Sequence, residues 1–285
     1  MSIRISPVIA VRERGEGTTF STRSLDVEEL GDVGSPVVVL DDFRVRGRPF
    51  GPHPHAGFSA VTYVFEDSKE NLRTRDSLGD DLVVGPGGIV WTQAGSGVLH
   101  EEIPAEPGRE LHGLQVFVNL SSRNKLVTPR LFQLASSDVP EWRSAVGDRV
   151  RVAVGSFEGV SSPLVPVEPF QLLDVELRRA IPFSVETGRV ALAYVVAGEV
   201  LVRAEGGERK VSSGHAVALH GGGGRAMIEG SPPAHLVLLT GPELREPVAA
   251  QGPFIMNEPS QLRSAFERYR AGAMGRLDPA SERDG

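Results

Sequence analysis

Two stretches of this chain run through the same order of elements. Residues 61–103 read VTYVFEDSKENLRTRDSLGDDLVVGPGGIVWTQAGSGVLHEEI, and residues 190–230 read VALAYVVAGEVLVRAEGGERKVSSGHAVALHGGGGRAMIEG. Each has an aromatic strand-like run, a second such run, a glycine turn, a third run and a Gly-rich bend. Further short runs rich in Val, Leu and aromatics flank them: GLQVFVNL, RVRVAVGSF, FQLLDVELR and AHLVLLTG, each bounded by Gly, Pro, Asp or Ser. The 33 glycines and 21 prolines suit many short strands joined by tight turns. The pattern predicts an all-β protein built as a duplicated β-barrel, with LVTPRLFQLASSDVPEWRSA connecting the halves. Helical periodicity is clear once, in EPSQLRSAFERYRAGAMG. There Leu262, Phe266 and Tyr269 share a face, Glu258 or Ser260 can cap the start, and Arg263, Arg268 and Arg270 fall on the outer side as a solvated basic face.

The bulk numbers narrow the chemistry. A net charge of −7 argues against direct nucleic-acid binding through a general basic surface. With no cysteine, thiolate metal sites, disulfides and cysteine nucleophiles are excluded together. Any metal must be held by His, Asp, Glu or water. The start MSIRISPVIAVRERGEG has no long apolar core and no later run approaches a membrane span, so the expected location is cytoplasmic, without membrane attachment.

The chemistry concentrates in two short motifs. GPHPHAGF carries His53 and His55, and AGSGVLHEEI carries His100 and Glu102. In a strand, side chains two apart point to the same face, so each pair presents two ligands in one direction. Gly95 and Gly97 let the backbone bend just before the second pair. If both strands line one barrel, three imidazoles and a carboxylate converge. Such a set suits iron, manganese, nickel, copper or zinc, and four protein ligands on an octahedral metal leave two positions for water, substrate or oxygen. Taken alone, His-x-His in a Gly/Pro loop reads as a solvated turn; the second pair turns the reading to a metal site. His112 reads as a packing or supporting residue, and His215, His220 and His235 have no matching pair. Aligning Tyr63 with Tyr194 sets Ser184 and Glu186 opposite His53 and His55. The later strands set Met227 and Glu229 opposite His100 and Glu102, so the second copy is expected to bind no metal.

These residues resemble the pirin family, whose members are two-domain proteins of the cupin superfamily. VVVLDDF, GPHPHAGFSAVTYVFE, RDSLGDDLVVGPGGIVWTQAGSGVLHEEIP, HGLQVFVNL, FEGVSSPL, LDVELRRA and GPFIMNEPSQLRSAFERYRAGAMG carry the likeness over nearly the whole chain. The resemblance implies two cupin-type β-barrels face to face (a bicupin) with a C-terminal α-helix: an N-terminal metal-binding domain over residues 1–130, and a C-terminal domain without metal ligands over 131–285 that includes the helix. It implies one divalent transition metal per chain, Fe(II) first among the candidates, on His53, His55, His100 and Glu102. It implies either a quercetin 2,3-dioxygenase that opens a small flavonol-like aromatic substrate with O2, or a non-catalytic, redox-sensitive regulator of a metabolic enzyme or transcription factor. In the first, Glu102 would also be the catalytic proton acceptor. The chain departs from the family pattern at Ala56, where Arg commonly follows HPH, and at Thr74, where a His is expected before RDS.

Overall fold

The computed structural model describes residues 2–16, 19–25, 27 and 33–280. The chain is mostly β, with one α-helix among the described residues, Pro259–Arg270. No helix among them is long and apolar enough to cross a membrane. Contacts gather the chain into two compact units.

The first unit comprises Glu13–Thr22, Asp41–Asp138 and Glu246–Gly285. Its central strand, Phe58–Val64, is buried at every position. That accounts for its sequence FSAVTYV, which is nearly all apolar rather than alternating. It lies between Ile89–Gln93 and Leu111–Asn119, and Arg130–Leu134 extends the sheet beyond Ile89–Gln93. A second antiparallel sheet runs in the order His53–His55, Val98–Pro104, Leu72–Asp76, Asp81–Val84. The two share a core in which Val64, Val90 and Leu111 of the first meet Leu72 and Val84 of the second.

The helix closes this unit. Glu258 and Gln261 form a reciprocal capping box at its start, with Pro259 in the first turn. Leu262 and Ala265 are buried against Ala56, Phe254 and Met256. The expected apolar face is thus present but rotated: Leu262 is buried, Phe266 is half-buried and packs on Phe254, and Tyr269 is 41% exposed. Arg268, expected on the outer side, is half-buried and donates to the Ser96 carbonyl, 3.2 Å away.

The second unit comprises Met1–Arg12, Arg23–Leu40 and Val139–Arg245. One sheet runs Glu141–Arg143, Arg149–Val154, Gln171–Leu177, Ala234–Pro242, Arg189–Ala197, His215–Gly221, all antiparallel. Another runs Ala180–Val185, Gly224–Gly230, Glu199–Ala204, Gly207–Ser212. Their core takes Leu173, Val175, Leu236 and Leu238 from the first sheet and Ile181, Val200, Val202 and Ile228 from the second.

At both ends of the chain, this partition departs from the 1–130 and 131–285 expectation. Ile3–Ile5 pairs with His215–Gly221 and buries Ile3 and Ile5 in the second unit's core, while the C-terminal helix belongs to the first unit. The cause is local. The edge of His215–Gly221 has backbone groups to satisfy, and the apolar stripe of the helix matches the cluster around Ala56.

Candidate metal centre

The site begins with a strand register. His53–His55 pairs antiparallel with Val98–Pro104 so that His100 faces His53 and Val98 faces His55. Residues opposed in this way project to one side, and the ligand atoms of His53, His55 and His100 lie within 4.8 Å of one another. No other such group of three or more His, Asp or Glu is found among the described residues. Alternation sends Glu101 to the opposite side, where it is buried in an ion pair with Arg75 at 3.1 Å.

Two glycines set the approach. Gly57 has φ +85°, and a Cβ there would fall 1.9 Å from the Ile255 carbonyl oxygen. Gly95 has φ +50°, and a Cβ there would fall 2.1 Å from the Val127 carbonyl oxygen. Only glycine satisfies both the left-handed backbone and the close approach. The Gly-rich bend before His100 therefore has the role its sequence suggests.

The polar atoms fit a cation. His53 Nδ1 lies 2.9 Å from the Gly51 carbonyl. Because a carbonyl only accepts, Nδ1 carries the proton and Nε2 keeps its lone pair. That Nε2 is 3.2 Å from His100 Nε2. Two imidazole nitrogens this close require a proton or a cation between them. His55 Nδ1, His100 Nδ1 and Glu102 Oε1 are buried with no hydrogen-bond partner, and buried polar atoms are rarely left so. Burial, then the neighbouring His53, pushes the His55 imidazole down to about 3, against the Pro253 backbone. Burial and the other two histidines hold His100 well below the usual value. Both rings are therefore neutral at physiological pH, the form that ligates.

Glu102 lines the same cavity, but its carboxylate stands outside the imidazole cluster. Oε2 accepts a 2.6 Å hydrogen bond from Thr62 Oγ1, a fully buried hydroxyl. Burial pushes the Glu102 carboxyl up to about 7, and the Thr62 bond opposes that shift. Thr62, absent from the sequence reading, lies 3.3 Å from Gln115 Oε1 as well. Its only sequence signal was its place in a strand near the motifs. The cavity measures about 550 Å³, and Phe20, Phe43, Phe50, Phe117, Val45 and Leu72 supply most of its apolar wall.

Lys125 was also missed. It is fully buried, and its ammonium donates at 2.9 Å to each of the Gly57 and Ile255 carbonyls and also to Asn119 Oδ1. It thus ties the backbone just beyond His55 to the segment that carries the helix. The other histidines stand apart from the site. His112 is buried between Asp42 and Asp67, and His235 pairs with Asp174. Of the two departures from the family pattern, Ala56 is wholly buried against the helix cluster, and Thr74 is buried directly across the strand pair from Glu102.

The chain is mostly β and gathers into two units, one carrying three histidines on paired strands, and its C-terminal part matches the profile of a cupin domain. The sequence profile of pirin matches residues 18–118, and that of the pirin C-terminal cupin domain matches residues 172–275. The chain belongs to the pirin family. It is 32% identical to human pirin over 283 residues, covering 96% of this chain and 94% of the human protein. It is 30% identical over 252 residues to a Pseudomonas aeruginosa protein provisionally named quercetin 2,3-dioxygenase, covering 84% of this chain and 86% of that one. The crystal structure of a quercetin 2,3-dioxygenase from Acinetobacter baumannii superposes with a TM-score of 0.85 at 24% identity, covering 98% of this chain and all of the other. At that identity the superposition establishes the fold.

Proposed function

We propose that the protein is a metal-dependent dioxygenase of the quercetin 2,3-dioxygenase type, opening a flavonol-like ring with O2. The observation that carries this reading is the position of the three imidazoles. They sit in the wall of a cavity of about 550 Å³ whose remaining surface is largely apolar and includes Phe20, Phe43, Phe50 and Phe117. A flat polycyclic substrate suits such walls, which stack on its rings and exclude water. The 30% identical Pseudomonas aeruginosa relative bears the same provisional name.

His53, His55, His100 and Glu102 would hold one divalent transition metal, Fe(II) first by family likeness. When bound, that ion supplies a Lewis acid and a one-electron redox centre. Glu102 has two tasks in this reading. Thr62 fixes Oε2, so the unpartnered Oε1 would be the oxygen to ligate and to accept the proton of the substrate hydroxyl. Lys125 and the Gly51 carbonyl act behind the ligands, holding the His53–Gly57 backbone and the His53 tautomer.

Oxygen consumption with a panel of flavonols tests the proposal. Metal-loaded wild-type protein should consume O2 with quercetin, and His53→Ala should not. Fully loaded wild-type protein that leaves every flavonol intact would reject the catalytic reading in favour of the regulatory one.

A further inference from the structure

The second unit has a cavity of its own, about 690 Å³, at one end of its apolar interior. Three adjacent strands change character there. In the core, Leu238 pairs with Leu173 on one side and with Ala193 on the other. Two residues further along, on the same face, Thr240 pairs with Gln171 and Ala191, and Arg189 follows beside Pro242. Apolar lining thus gives way to Thr240, Gln171 and Arg189 at the cavity.

These polar groups are only partly committed. Arg189 is half-buried, and Nη2 donates to the Thr240 carbonyl at 3.2 Å. The Thr240 hydroxyl is buried with no hydrogen-bond partner. Gln171 gives its amide to the Ser156 carbonyl. Burial lowers the Arg189 pKa from its usual value, with Glu186 opposing, so the guanidinium stands in a partly desolvated position. Around it lie Phe157, Leu164 and Phe183, while Val165, 75% exposed, stands at the mouth. Glu158 and Glu186 occupy the rim, both exposed.

We propose that this cavity is a second small-molecule site, for a monocarboxylate with an apolar body. The Arg189 guanidinium takes the carboxylate through paired N–H donors, the Thr240 hydroxyl donates to it, and Phe157 and Leu164 cover the apolar part. The two rim carboxylates disfavour a second negative charge, so the site selects a monoanion over phosphate. The proposal stands independently of any metal in the first unit.

Calorimetric titration of the full-length protein with 3-phenylpropionate and, separately, with inorganic phosphate tests it. The wild type should bind one 3-phenylpropionate in the millimolar range or tighter and show no saturable phosphate binding. His53→Ala should bind it unchanged, which separates this site from the first unit's cavity. Arg189→Gln and Thr240→Val should each bind about tenfold more weakly or worse. Should Arg189→Gln lose its β circular dichroism, the nearly isosteric Thr240→Val decides. The proposal is overturned by absence of saturable 3-phenylpropionate binding at millimolar concentration, by binding lost in His53→Ala, by binding unchanged in the folded variants, or by phosphate binding as well as the carboxylate.

Discussion

Thr62 Oγ1 donates to Glu102 Oε2 at 2.6 Å, from a fully buried position on the central strand of the first unit. The bond fixes one carboxylate oxygen and leaves the other, Oε1, buried without a partner in the wall of the cavity that the three histidines also line. Thr62→Val keeps the shape of the side chain and removes only the hydroxyl. Supporting hydrogen bonds of this kind are worth about 10–100-fold in metal affinity, so the variant should bind a divalent transition metal weaker by that factor. Competition against a chelator measures it, and equal affinity would show that Glu102 needs no support from Thr62.

The raised carboxyl of Glu102 predicts proton release. In the metal-free protein its pKa is about 7, so below that pH the group is mostly protonated and must lose its proton to ligate. His55, held down to about 3, does not compete in this range. Metal affinity should therefore fall as pH drops through about 7, with Glu102 contributing close to one released proton per ion below that value and less above it. Calorimetry in buffers of different ionisation enthalpy counts the protons. Glu102→Gln should release close to one proton fewer per ion below that pH; an unchanged release in that variant would assign the proton to another group.

Lys125 predicts a coupling between fold and site. Its ammonium serves the Gly57 and Ile255 carbonyls and Asn119 from a position with no exposure. Lys125→Met would leave these acceptors unsatisfied in the interior, at a cost of about 2–5 kcal/mol. Urea denaturation should show that loss, together with weaker metal binding in the still-folded protein. A variant as stable as the wild type would remove Lys125 from the account.

The sequence made part of this legible. Spacing two residues apart put His53 with His55 and His100 with Glu102 on shared faces, because strand alternation is a local property. The glycine bends were readable for the same reason. Cross-chain features were not. Nothing near Thr62 announces Glu102, and Lys125 lies in an ordinary polar loop far in sequence from Ile255. Arg268 turned from the outer face to Ser96 because the helix docks through Leu262 and Ala265 rather than through Tyr269. The exchange of chain ends between units was hidden likewise, since Ile3–Ile5 finds its partner strand more than two hundred residues away.

A metal held by His53, His55 and His100, with Glu102, should stay with the protein through purification. Elemental analysis of protein purified without chelator, beside His53→Ala prepared in the same way, reads this out. The wild type should carry close to one divalent transition-metal ion per chain and the variant almost none. Wild-type protein that takes up no such ion, even when supplied with Fe(II) without oxygen, or a variant that retains as much as the wild type, would contradict this assignment.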